Sequence, residues 1–135
     1  MRFTTIRHLF VYGTLKRGRS PQARQLAETC SWMGEAKLAG RLIDLGSYPA
    51  LLPAATPADF VHGELWRLPD DPDQADEVLD FTDRYEGCHP DDPEPHEYCR
   101  IVCTALNFEG VRTWCWTYLY PWGGESHPIL NDGRW

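Results

Sequence analysis

The order of elements along this chain predicts an α+β fold: a small, strongly bent or closed sheet with two helices packed against it. Three observations carry that expectation. Segments run in the order strand, helix, several strands, helix, hairpin, without the βαβα alternation of a doubly wound sheet. Ser20-Pro21 and Asp71-Pro72 each pair a capping side chain with a proline that suits the first helical position. Gly34 and Gly40 interrupt the extended stretch Trp32 to Leu45, as bulges or bends of a curved sheet do.

Ile6 to Tyr12 reads as a strand ending at Gly13, and Lys16 to Arg19 as a polar loop. A short helix follows Ser20 and runs to about Glu28, with Ala23, Leu26 and Ala27 inward. Gly46 to Ala50 is a turn and Pro53 to Asp59 a loop. Phe60 to Leu68 alternates in polarity and reads as a strand. After Asp71, the residues Ala75, Val78, Leu79, Thr82 and Tyr85 share one helix face, and Gly87 is the expected stop. Three prolines between Cys88 and Pro95 rule out regular structure there. Glu97 to Phe108 and Val111 to Tyr120 read as two strands joined at Glu109-Gly110. On the second of these, Trp114, Trp116, Tyr118 and Tyr120 share one face, and Cys115, Thr117 and Leu119 the other.

With 135 residues, one domain spanning 1–135 is expected. A 42% apolar composition and a net charge of -7 are those of a folded chain, not a disordered one. Eight of the thirteen Lys and Arg lie in residues 1–41, but they are scattered and the whole is acidic, so nucleic acid is not an expected partner. No stretch approaches the ~18 apolar residues of a membrane span. Met1 to Thr5 lacks the apolar core of a leader, so a cytoplasmic location, no membrane partner and reduced thiols are expected. Four of the six tryptophans fall in the last 22 residues, which predicts that the C-terminal end helps close the core.

Two strings point toward chemistry. Tyr12-Gly13-Thr14-Leu15 sits where a strand ends. Gly13 permits a tight turn and close approach, and successive backbone N–H groups in such a turn can bind an anion. Alone, the string also fits an ordinary strand-to-loop turn. Glu86 places a carboxylate at the C-terminal end of a helix, where the helix dipole disfavours it. Twelve of the twenty acids lie between Asp70 and Glu97 with Arg84 as the one Lys or Arg among them, and like charges or burial raise a carboxyl pKa. Alone, Glu86 also fits a solvated acid on an acidic helix. Cys88, His89, His96, Cys99 and Cys103 match no zinc spacing, and Cys99 and Cys103 would stand about 13 Å apart at ~3.3 Å per strand residue, so no metal is expected. An adjacent Cys88–His89 pair lacks an orienting third group for nucleophilic catalysis.

Together these strings resemble the gamma-glutamylcyclotransferase-like family in its small bacterial-type, AIG2-like branch. Val11-Tyr12-Gly13-Thr14-Leu15 resembles its opening loop, and Tyr48-Pro49-Ala50 the turn before its next strand. Val61-His62-Gly63-Glu64-Leu65-Trp66, Leu79-Asp80, Tyr85-Glu86-Gly87, Tyr98 with Arg100, Trp116-Thr117-Tyr118 and Asp132-Gly133-Arg134-Trp135 follow in the family's order. The step from Leu79-Asp80 to Glu86-Gly87 is longer than usual. The resemblance implies a small mixed β-barrel with two flanking helices. It implies that Glu86 is the catalytic acid/base and that Tyr12, Gly13, Thr14, Leu15 and Tyr118 bind substrate. The implied reaction converts a gamma-glutamyl amine or amide to 5-oxoproline and a free amine without cofactor. The implied partner is that small molecule, with the chain a monomer or weak homodimer. The rival expectation is a non-catalytic module that binds a glutamyl-like metabolite. If the loop after Glu86 overhangs the pocket, the acidic run predicts a preference for a leaving group carrying an extra positive charge; otherwise the run is a solvated face.

Overall fold

The apolar run Leu9-Phe10-Val11 forms the strand on which the sheet closes. The structure, a computed structural model, describes residues 6–124 and 126–135; the reading of Met1 to Thr5 lies outside them. The elements are β1 (His8–Val11), α1 (Pro21–Thr29), β2 (Ser31–Ala39), β3 (Arg41–Asp44), β4 (Pro49–Leu52), β5 (Phe60–Arg67), α2 (Pro72–Tyr85), β6 (Cys99–Asn107) and β7 (Arg112–Leu119). Five strands close into a barrel in the order β1-β5-β2-β6-β7, and β3 and β4 form a separate two-stranded sheet. The barrel is mixed because β1 meets β7 in parallel, at Leu9 and Trp116, while the other pairs are antiparallel.

Alternation along the strands produces two cores. Phe10, Leu38, Val61, Leu65, Ala105 and Cys115 pack together in one cluster, joined by Leu42 and Leu51 of the small sheet. Leu9, Val11, Trp66 and Tyr118 point the other way and pack with Leu26 of α1 and Val78 and Leu79 of α2. The capping signals act as read: Ser20 Oγ accepts from the Ala23 amide and an Asp71 carboxylate oxygen from the Gln74 amide. Gly87, at φ +73°, follows the helix end in the left-handed conformation.

Several expectations are corrected. The stretch Trp32 to Leu45 is two strands in different sheets, separated at Gly40, where an added Cβ would lie 2.7 Å from Leu51 Cδ1. Gly34 does mark a bulge, at the register shift between Trp32 and Glu35. Pro49 and Ala50 belong to a strand; the turn before it closes through the Leu45 amide and the Tyr48 carbonyl. Ala27 faces solvent, because the short α1 buries a stripe of only Ala23 and Leu26. The β6–β7 loop is longer than two residues: the Asn107 carboxamide oxygen accepts from the Glu109 and Val111 amides, organising a turn that Gly110 completes. The C-terminal end helps close the fold, with Trp116 and Trp135 partly buried against the two cores. Gly133 accepts from the His62 amide, Leu130 donates to Leu42, and Trp114 and Trp122 remain exposed. Among the described residues all five cysteines are free, with the Cys103 and Cys115 sulfurs 3.6 Å apart across β6 and β7.

Gly63 sets how closely β1 and β5 approach. A Cβ there would lie 2.2 Å from the Val11 carbonyl oxygen and 2.7 Å from Phe10 Cζ. Because the first of these is backbone inside a closed barrel, it cannot swing aside. Gly63→Ala is therefore expected to lower stability by at least the ~1–3 kcal/mol typical of overpacking. Urea denaturation measures this, and an unchanged midpoint would mean that β1 moves freely.

Candidate active site

The turn after β1 holds its carbonyls in place and leaves amides over. The Lys16 amide donates to the Gly13 carbonyl at 3.1 Å, Ser20 Oγ to the Thr14 carbonyl at 2.6 Å, and Trp66 Nε1 to the Leu15 carbonyl at 3.1 Å. The Thr14 and Leu15 amides have no acceptor among the described residues. Two N–H groups free in succession suit an anion or a carbonyl oxygen. Gly13 is required for space rather than for a left-handed backbone: its φ is ordinary, and an added Cβ would meet Pro49 Cγ at 2.8 Å. The turn is also tied to α2, through a 2.6 Å hydrogen bond between Thr14 Oγ1 and the Tyr85 hydroxyl. Tyr85, expected on the buried helix face, is exposed and serves this contact instead.

Those residues border a cavity of about 350 Å³, a volume suited to a small metabolite. Tyr12, Gly13, Thr14, Leu15, Glu86 and Tyr118 all line it, whereas Cys88, His89, His96, Cys99 and Cys103 do not. Ser47, Tyr48, Pro49, Tyr85, Glu97 and Tyr98 complete the walls with Phe10 and Val11. No Lys, Arg or His is among them.

Glu86 caps the end of α2, with φ -85° and ψ -2°, and its amide donates to the Thr82 carbonyl. Its side chain keeps a partial exposure through the cavity, yet the carboxyl is set deep among protein atoms. No hydrogen bond reaches that carboxyl from the described residues. Burial, then the charges of Glu97 and Asp83, push its pKa from 4.5 up to about 8.

Asp83, one turn earlier, has the opposite environment. Arg100 Nε donates to Asp83 Oδ1 at 2.8 Å and the other guanidinium arm to Oδ2 at 3.2 Å. The Tyr118 hydroxyl donates to Oδ1 at 2.6 Å and lies 2.7 Å from Thr82 Oγ1. Tyr118 thus shapes the cavity with its ring while its hydroxyl is engaged elsewhere. Its backbone carbonyl accepts from the Tyr12 hydroxyl at 2.7 Å, which makes one connection from α2 through β7 to the residue before Gly13. Burial holds both phenols well above the usual tyrosine pKa, so they stay neutral donors.

Sequence reasoning missed Asp83, Glu97, Tyr48 and Tyr98 as parts of this site. Only Tyr48 and Tyr98 carried a signal, as members of the strings that carry the resemblance. The Tyr48 hydroxyl donates to Glu97 Oε2 at 2.6 Å, and the Tyr98 hydroxyl to the Pro49 carbonyl at 2.8 Å. The rest of the 88–97 loop is fastened to the outer side of α2: His89 Nε2 to Asp80 at 2.5 Å and Arg84 to Asp91 at 3.1 Å. The His89 imidazole is fully engaged, since Nδ1 accepts from the Asp91 amide. Burial pushes the neighbouring Cys88 thiol up to about 12, so the two do not form a nucleophile–base pair. A larger cavity of about 570 Å³ lies on that outer side, but in its lining Asp83 is already paired with Arg100 and His89 with Asp80. Among the described residues, no group of three or more His, Cys, Asp or Glu is placed to hold a metal ion, and no helix is long and apolar enough to cross a membrane.

Solved structures share this architecture. YkqA from Bacillus subtilis is 16% identical with a TM-score of 0.68; the match covers 97% of this chain and 40% of that one, so the chain spans well under half of that protein. An AIG2-like protein from Mus musculus is 24% identical with a TM-score of 0.68, covering 90% of this chain and 82% of that one. A structure described as gamma-glutamyl cyclotransferase is 17% identical with a TM-score of 0.60, covering 91% and 70%. At these identities the likeness is one of fold. No curated protein matches the chain. The model of one sequence family, described as gamma-glutamyl cyclotransferase, AIG2-like, matches residues 9–135, and by that near-complete match the chain belongs to this family.

Proposed function

We propose that the protein is a cyclotransferase that converts a gamma-glutamyl amide into 5-oxoproline and the free amine, with Glu86 as its acid/base. The observation that carries this reading is a deep, unpartnered carboxyl with a pKa near 8, lining the same cavity as two unpaired backbone amides. The substrate's α-amine is the nucleophile, and in water it holds its proton up to a pH near ~8. A base of matching pKa takes that proton with little penalty. The amine then attacks the γ-carbonyl carbon and closes the five-membered ring. The C–N bond to the leaving amine breaks as Glu86 returns a proton to the leaving nitrogen. The Thr14 and Leu15 amides are suited to the substrate's carboxylate or to the oxyanion of the tetrahedral intermediate. A folded glutamyl chain in a small cavity adds the advantage of proximity. A pocket that merely carries a glutamyl-like metabolite would hold its α-ammonium better with an ionised carboxylate than with a carboxyl pushed up to about 8, which is why the catalytic reading is preferred over a binding module.

A panel of gamma-glutamyl amides assayed for 5-oxoproline tests the reaction. Glu86→Gln keeps the shape of the side chain and removes the base, and is expected to slow turnover by roughly 10²–10⁴-fold. Wild-type turnover by that variant would sink the assignment.

The raised pKa also makes a stability prediction. Glu86 is held above its unfolded value of 4.5, at about 8, so the folded state binds its proton more tightly than the unfolded chain does. Its contribution is fully present below pH ~4.5 and is lost as pH rises through about 8. Glu86→Gln cannot ionise and should therefore be more stable than wild type at pH 9, by up to a few kcal/mol. The two proteins should converge at pH 4. Denaturant titrations at both values measure the difference, and equal stability at pH 9 would contradict a desolvated carboxyl.

A further inference from the structure

Two thiols stand opposite each other in the barrel wall. Cys103 of β6 and Cys115 of β7 are register partners, and their sulfurs are 3.6 Å apart. The Asn107 amide donates to the Val111 carbonyl at 3.0 Å, so every second pair along this antiparallel ladder, Cys103 with Cys115 included, is of the hydrogen-bonded kind. The Cα atoms of such a pair stand about 5.5 Å apart, within the span of a disulfide. Both side chains belong to the inner cluster of Phe10, Leu38 and Leu65. Rotation about the two Cα–Cβ bonds therefore brings the sulfurs together without moving a strand.

The two thiols differ in access. Cys115 is fully buried, whereas Cys103 is partly exposed. Strand β2 pairs with β6 only at Leu106 and Asn107, so among the described residues no strand lies against the edge of β6 beside Cys103. The Cys115 thiol faces both the sulfur and the carbonyl oxygen of Cys103, each at 3.6 Å. The contact between the sulfurs holds the Cys103 thiol below its ordinary pKa and, with burial, pushes that of Cys115 up. Burial pushes Cys30 and Cys88 up as well, the latter to about 12.

We propose that Cys103 and Cys115 form a reversible dithiol–disulfide pair, in which Cys103 meets the oxidant and Cys115 resolves it. With a peroxide as oxidant, the Cys103 thiolate attacks one peroxide oxygen and the O–O bond breaks. The other oxygen takes up a proton and leaves as water, and Cys103 becomes a sulfenic acid. The Cys115 sulfur then attacks the Cys103 sulfur. The S–O bond breaks, and the hydroxyl leaves with the Cys115 proton as a second water. The two thiols have lost two electrons and the peroxide has gained them. A small-molecule thiol reverses the step by attacking the accessible Cys103 sulfur, and a second one completes the reduction as its own disulfide. The crosslink also bears on the site. Arg100 and Tyr118 are register partners three positions along the same strands, and both hold Asp83. The disulfide fastens the hairpin that presents them, and neither cysteine lines the cavity.

The test treats the folded, reduced protein with a small excess of hydrogen peroxide at neutral pH and maps its peptides by mass. Trypsin cuts after Arg100, Arg112 and Arg134, so each partner falls on its own peptide, 101–112 and 113–134, with no other cysteine on either. The oxidised sample should hold these two peptides joined, lighter by two hydrogens, and dithiothreitol should separate them. The melting midpoint should rise by roughly 5–15 °C on oxidation and fall back on reduction. In Cys115→Ala, dimedone should trap a sulfenic acid at Cys103; in Cys103→Ala, Cys115 should stay unmodified at the same dose. If either variant fails to fold, the wild-type peptide map decides by itself. A crosslink between other cysteines, one that forms only in denaturant, or none at all would overturn the proposal. Faster oxidation of Cys115 than of Cys103 in the two variants would overturn the assigned order, and an unchanged or lower midpoint the fastening of the hairpin.

Discussion

The partly buried pair of Asp83 and Arg100 is the contact on which the site depends. Taking a carboxylate out of water costs several kcal/mol unless its oxygens are satisfied. Here they are, by both arms of the guanidinium and by the Tyr118 hydroxyl. The guanidinium in turn lies over the Trp116 ring, 4.3 Å from its centroid, which keeps the pair directional. The net energy of such a pair is modest, but its geometry is strict. It attaches the last turn of α2 to β6 and β7 at once, and the direction in which the chain leaves that turn decides where Glu86 points. Through the Tyr118 carbonyl and the Tyr12 hydroxyl, the same contact also reaches the strand end that carries the amide turn. Glu86 and the amide turn are therefore located relative to one another by a continuous set of hydrogen bonds.

Glu86 and Asp83 are one turn apart on the same helix and differ in nearly every physical respect. Asp83 has a cation and a phenol as partners; Glu86 has none and sits against like charge. Satisfied polar groups hold shape, and unsatisfied ones hold reactivity at the expense of stability. The division of labour also explains why Tyr118 lines the cavity without offering it a hydroxyl: its donor is committed to the structural acid rather than to a ligand.

Much of this was legible in the sequence, and the parts that were not have a common cause. Glu86 stood out because Gly87 marked the helix end and left it as the capping residue, a strictly local signal. The turn at Gly13 was legible for the same reason, although the glycine proved to be needed for the proximity of Pro49 rather than for its own backbone. Asp83 was hidden because it is one acid among twelve between Asp70 and Glu97, and only Arg100, seventeen residues away, distinguishes it. Strand β4 was hidden because Tyr48-Pro49 carries turn chemistry on its leading edge. Glu97 was hidden because a loop of three prolines has no internal period. Its course is set by contacts to α2 such as those of His89 with Asp80 and Arg84 with Asp91. The buried faces of the strands followed their alternation well, apart from the tryptophans of the last stretch, two of which face solvent although their residue type suggests a core.

The same architecture separates what can vary from what cannot. The barrel interior is filled by Phe10, Val61, Leu65 and Cys115, and Gly63 brings β1 and β5 so close that no ligand space remains between them. The cavity lies at the rim instead, where the end of β1, the last turn of α2 and the residues before β6 converge. Two of its three sides are held by the core: the amide turn through Trp66 and the capping serine of α1, and Glu86 through the Asp83 contacts. The third side, bearing Glu97, comes from a loop anchored to α2 by the His89 imidazole on Asp80 and by the exposed Arg84–Asp91 ion pair, the latter worth less than ~1 kcal/mol in isolation. Changes in that loop leave the barrel untouched but alter the charge that Glu97 sets against Glu86, so the amide turn and the position of Glu86 are properties of the fold, and part of the electrostatics around that carboxyl is a property of the loop.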